Sequence, residues 1–160
     1  MGNTVGSRHY PPDTYLAGLF DGDGSVVATL ERYNSRRFPY RVRIKINFTQ
    51  HVRHKKTLLL IQETLNNVGA IRVNKRKDLA EFVVQDRGQV QTVLARLEPH
   101  LIIKKKQARL AFQVLKMLSK NERHKPSTLS DGAYTRILAL VQDIRNLNSH
   151  TGGKRTNTSV

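Results

Sequence analysis

Hydrophobic and polar residues alternate most strictly between Arg41 and Phe48, where Val42, Ile44, Ile46 and Phe48 interleave with Arg41, Arg43, Lys45 and Asn47. A period of two belongs to a half-buried strand, so one face is core and the other is cationic. Three successive like charges on one strand repel each other unless phosphates or bases face them. Ser25 to Glu31 alternates as well, with Val26, Ala28 and Leu30 against Ser25, Val27, Thr29 and Glu31. A hairpin loop over Arg32 to Tyr40, carrying Arg36 and Arg37 near its tip, would join the two strands. A second hairpin is expected from Ala70 to Lys77 and Leu79 to Gln85, turning near Lys77-Asp78. Its polar face offers Arg72, Asn74, Arg76 and Glu81. Arginine and asparagine are the side chains best matched to guanine and adenine edges.

Helical spacing fills the remaining segments. Leu58, Leu59, Ile61, Leu65 and Val68 predict a helix from about Lys55 to Asn67, stopped before Gly69. Asp86 can cap a helix holding Val90, Val93, Leu94 and Leu97 that ends at Pro99, and Lys104 opens another that runs through Leu118. A last helix carries Ile137, Val141, Ile144 and Leu147. With a first helix ending near Asp23, the order is αββαββα followed by two more helices. At 160 residues this is a single domain over 11–148, with a polar N-terminus over 1–10 and a basic polar tail over 149–160.

Charge narrows the partner. Twenty-eight Lys and Arg against 12 Asp and Glu give +16, which points to a polyanion and above all to nucleic acid. Charge of this kind suits a ribosomal protein or a repressor as well as a nuclease. The absence of cysteine excludes disulfides and thiolate zinc sites, and no apolar run approaches membrane-spanning length.

Candidate chemistry is concentrated in Tyr15 to Ser25, reading Tyr-Leu-Ala-Gly-Leu-Phe-Asp-Gly-Asp-Gly-Ser. Pro11 and Pro12 pre-set a helix start, and Asp13 is placed to accept its orphan N–H groups. Gly18 and Gly22, four apart, expose bare backbone to a neighbouring helix, and Asp23 is left at the helix tip. An exposed carboxylate is a hard oxygen ligand for Mg²⁺, and glycines at the tip would let phosphate backbone come close. A lone Asp-Gly-Asp-Gly more often caps a helix and turns the chain. A calcium loop fails because its sixth position is Val26 and its twelfth Arg32.

Leu16-Ala17-Gly18-Leu19-Phe20-Asp21-Gly22-Asp23-Gly24 resembles the nine-residue signature of the LAGLIDADG homing endonucleases. The likeness runs from about Tyr15 to Arg155 and is greatest to the single-motif, homodimeric branch of organellar group I introns. It implies an α+β fold in which four antiparallel strands form a saddle in the DNA major groove, and a homodimer packed through Leu16, Gly18, Leu19 and Gly22. It further implies metal binding by Asp23 and the Gly22 carbonyl, with Mg²⁺ as cofactor and Mn²⁺ able to substitute. Gln50 would orient water, Lys104 would stabilise charge at the phosphate, and an active-site cation would come from Arg53, His54 or Lys55. The link from Gln50 to Gly69 is a few residues longer than is usual in the family.

DNA contacts are expected at Thr29, Glu31, Arg36, Arg37, Arg41, Arg43, Lys45, Asn47, Arg72, Asn74, Arg76, Glu81, Lys106, Lys154 and Arg155. The implied activity is metal-dependent cleavage of both strands of a long, roughly palindromic duplex, leaving short 3′ overhangs. An intron RNA maturase and a cleavage-inactive DNA-binding regulator are the alternatives on the same fold. The implied location is an organelle, with an archaeal cytoplasm also compatible.

Overall fold

A computed structural model describes residues 9–32, 37–122 and 129–149. The chain runs α1 (Asp13–Asp23), β1 (Gly24–Arg32), β2 (Tyr40–His51), α2 (Lys55–Thr64), β3 (Ala70–Asn74), β4 (Leu79–Val84), α3 (Arg87–Leu97), α4 (Lys105–Glu122) and α5 (Asp131–Ser149). Short 3-10 turns occupy Val52–His54 and Glu98–His100. The strands form one antiparallel sheet in the order β1-β2-β4-β3. None of the described helices is long and apolar enough to cross a membrane.

Strand alternation decides the layers. Val42, Ile44, Ile46 and Phe48 are buried beneath the helices with Val26, Ala28, Ala80, Phe82 and Val84. Phe48 stacks on Phe82 at 5.9 Å between centroids and receives Phe20 of α1 edge-on at 5.0 Å. That aromatic trio anchors α1 across the centre of the sheet. Gly24 is needed here, since a Cβ would lie 2.2 Å from the Phe20 ring. The closeness that this glycine permits is to the protein's own core.

Several local expectations change. Asp13 makes no cap hydrogen bond; it instead receives Arg96 Nε at 3.1 Å and Nη2 at 2.6 Å, while Arg96 Nη1 donates to the Thr64 carbonyl. Arg96 therefore ties the start of α1 to α3 and to the end of α2. Asp86 does cap α3, accepting from the Gln89 N–H at 3.0 Å. Helix α2 ends earlier than its apolar spacing suggests, because Asn66, Asn67 and Gly69 turn left-handed at φ 59°, 56° and 66°. Gly69 is also pressed against the Val83 carbonyl, which a Cβ would approach to 2.4 Å. Strand β3 stops at Asn74, so Arg76 lies in the hairpin turn, where its N–H donates to Asn74 Oδ1.

Candidate active site and nucleic-acid interface

The C-terminal tip of α1, the end of β2 and the segment before α4 meet at one edge of the sheet. Pairing of Gly24 with Phe48 puts the helix tip beside the last residues of β2, and β2 runs on past Thr49 to His51 by pairing with β4. Gln50 therefore lies within the strand, on the helix-facing side, where sequence reasoning put it after the strand's end. Its Nε2 donates to Asp23 Oδ2 at 2.6 Å. Asp23 is exposed, and among the described residues its Oδ1 accepts no hydrogen bond.

Asp21 does a different job. Its carboxylate accepts from the backbone N–H groups of Ile102 at 2.7 Å and Lys104 at 2.9 Å, and its carbonyl accepts from Lys104 Nζ. This acid, read from sequence only as a helix-end cap, locks the segment before α4 onto the helix tip and so brings Lys104 to Asp23. Burial pushes the Lys104 ammonium below its ordinary pKa, opposed by the attraction of Asp21 and Asp23.

The residues at the tip fit a hard divalent cation. Asp23 supplies carboxylate oxygen, and the end of a helix presents carbonyls without intrahelical partners and a partial negative charge. No group of three or more His, Asp or Glu side chains that could hold a metal converges among the described residues.

Arg53 and His54 sit in the exposed 3-10 turn after β2, where Arg53 Nε donates to His54 Nε2 at 3.2 Å. Lys55 begins α2 beside them. Among the described residues, the Asp23 carboxylate is bound by Gln50 and by none of these three.

The sheet face turned away from the helices carries most of the expected DNA contacts. Register sets Thr29 opposite Arg43, Glu31 opposite Arg41 and Arg72 opposite Glu81, with Lys45, Asn47 and Asn74 on the same side. Arg43 Nε donates to Glu31 Oε2 at 2.6 Å. Asn47 Oδ1 is buried without a partner among the described residues, an acceptor held under the strand surface. Arg37 turns toward α5, 3.4 Å from Asp131. Lys106 is not on the sheet; it borders a shallow groove with Leu110 and with Asp143 and Asn146 of α5. Arg36, Lys154 and Arg155 lie outside the described residues.

The expected dimer face needs one correction. Leu16 is fully buried in the chain's own core with Ala17 and Phe20, so it cannot face a second copy. Gly18 and Gly22 are exposed, and a Cβ on either would meet nothing within 4 Å. Leu19 is half-buried and Tyr15 is 52% exposed on the same helix. Ile102 and Ile103, at 85% and 63% exposure beside the tip, were not singled out from the sequence. Two apolar residues directly before the lysine run were the available signal.

A family model described as LAGLIDADG endonuclease matches residues 16–118. The chain is 34% identical to the DNA endonuclease I-CvuI of Chlorella vulgaris over 120 residues, 74% of this chain and 71% of that one. It is 24% identical to the DNA endonuclease I-CreI of Chlamydomonas reinhardtii over 146 residues, 91% and 84% of the two chains. A crystal structure of I-CvuI with the I-CreI target and Mg, in which the DNA is not cleaved, matches with TM-score 0.75 at 29% identity. That match covers 90% of this chain and 85% of the other.

Proposed function

The chain belongs to the LAGLIDADG endonuclease family, and on that footing we propose that it is a homing endonuclease acting as a homodimer. Its substrate is a long, roughly palindromic duplex, because a two-fold protein reads two half-sites. It hydrolyses one phosphodiester in each strand and leaves short 3′ overhangs. The observation that carries this reading is the exposed Asp23 carboxylate, gripped by Gln50 at 2.6 Å with Lys104 held alongside, at the end of a cationic sheet face.

Asp23 and the Gly22 carbonyl would hold Mg²⁺, with the second chain's tip completing the shell. When bound, the ion supplies Lewis-acid polarisation of the phosphate and a more acidic water. Gln50 fixes the Asp23 rotamer through its amide N–H and keeps its own carbonyl oxygen for a water proton. Lys104 would offset charge that accumulates on the phosphate during in-line attack, a role open also to Arg53, His54 or Lys55. The open glycine face of α1 suits close approach of a second helix. An origin in an organellar intron accords with relatives from Chlamydomonas and Chlorella.

The test is to incubate the protein with a library of long random duplexes in Mg²⁺ or Ca²⁺ and to sequence cut ends. Staggered cuts at one near-palindromic site, present in Mg²⁺ and lost in Asp23→Asn while binding persists, are the expected result. Selective binding without cutting would make the chain a regulator, and preference for intron RNA over every duplex would make it a maturase.

A further inference from the structure

The sheet narrows at the end away from the Asp23 tip. Strand β4 stops at Val84, opposite Ile46, so residues 40–45 of β2 are paired only on the β1 side. The chain leaves that corner through Gln85 and Asp86 into α3, and the two segments border an open pocket of about 500 Å³. Arg41, Arg43 and Arg87 line it, and Asp86 is the one carboxylate among the described lining residues. That carboxylate is engaged in capping α3, and Arg43 is shared with Glu31. Arg87 is half-buried; burial and then the repulsion of Arg41 and Arg43 weaken its hold on its proton, only partly opposed by Asp86.

Three guanidiniums lining one open concavity set up a positive potential that draws an anion. The geometry of a guanidinium fork matches two oxygens of a phosphate, and the first turn of α3 adds backbone N–H groups at the pocket's rim. We propose that the Arg41–Arg43–Arg87 pocket seats a backbone phosphate of the bound duplex in the outer flank of each half-site. This rests on the duplex-cleaving reading above.

The seat's position along the DNA follows from the strand. Arg43 and Arg41 precede Gln50 by seven and nine residues on β2, a span of about 23–30 Å at the rise of a strand. At about 3.4 Å per base pair this reaches about seven to nine nucleotides from the scissile bond. Contacts there carry affinity and register without reading sequence.

The experiment couples protein and DNA changes on the duplex recovered by cleavage. Neutral methylphosphonates are placed singly at the phosphates about seven to nine nucleotides from the cut, and affinity is measured for wild type, Arg87→Gln and Arg87→Lys. Expected are about tenfold weaker wild-type binding for one substituted phosphate, a similar loss for Arg87→Gln on unmodified DNA, and little further loss when both are combined. Arg87→Gln should also lower the salt slope by about one unit, and Arg87→Lys should fall between it and wild type. Additive losses, or wild-type affinity unaffected at all these phosphates, would overturn the seat. If wild type binds no duplex, the parent reading fails and the pocket is judged with inorganic pyrophosphate. A rise in Tm that is lost in Arg87→Gln supports an anion seat filled by a free phosphate compound, and no rise overturns it.

Discussion

Lys104 is held by two opposed demands. Its ammonium donates to the Asp21 carbonyl and lies within the attraction of Asp21 and Asp23, yet burial outweighs both and lowers its pKa. A lowered pKa means that the cation is lost at a lower pH than for a free lysine, whose value is about 10.4. If Lys104 stabilises charge on the reacting phosphate, the alkaline fall in kcat/KM begins below that value. Lys104→Arg, which keeps its charge throughout, should move the fall upward even if it lowers the rate. A pH profile of single-turnover cleavage reads this, and an identical alkaline limb in both proteins would remove Lys104 from the role. Asp23 and Gln50 were legible from sequence because the motif and the strand that bear them are local. The work of Asp21 was not, since the N–H groups that it binds lie 81 and 83 residues further along the chain.

Helix α1 has two faces with contrary requirements, and the glycines within it and at its C-cap divide between them. Gly24 closes the inner side, where the Phe20 ring fills the space that a Cβ would need. Gly24→Ala should cost about 1–3 kcal/mol through overpacking, seen as a lower midpoint in urea with an unchanged slope. Gly18 lies on the open side, where a larger side chain meets nothing in a single chain. The single chain of Gly18→Leu should therefore still fold, with up to about 1 kcal/mol gained from helix propensity set against the stabilisation lost with the dimer. It should nevertheless sediment as a monomer and fail to cut. A Gly18→Leu protein that stays dimeric and active would place the dimer contact elsewhere. Hydrophobic period, with the proline, aspartate and glycine signals at the helix ends, found the four strands and five α-helices in order, because burial on one face is a property of each segment. It missed the ends, which neighbours set: β2 gains Gln50 and His51 by pairing with Ala80 and Leu79, and β3 stops short at a turn where Asp78 takes φ 51°. Leu16 was assigned to the wrong face because the motif specifies residue types and leaves to the packing which way each one points.

At the scale of the whole molecule, a formal charge of +16 on 160 residues makes salt act in opposite directions on folding and on binding. Without DNA, the cations of the outer sheet face and of the segments Lys75–Lys77 and Arg53–Lys56 outnumber the acids beside them, Glu31, Glu81 and Asp78, and their net repulsion opposes the compact state. Added salt screens that repulsion over a Debye length of about 8 Å at physiological strength, so the Tm of the free protein should rise with NaCl. On DNA the same charges displace condensed counterions, and log Kobs should fall linearly with log salt by about 0.9 per phosphate contacted. Calorimetry of the free protein and binding titrations over the same salt range test both signs together. A flat binding response would mean that the cationic face does not meet phosphate, and a falling Tm would mean that its ion pairs, such as Arg43–Glu31, outweigh its repulsions. Opposite slopes would show that the charge which weakens the free fold is the charge that DNA requires.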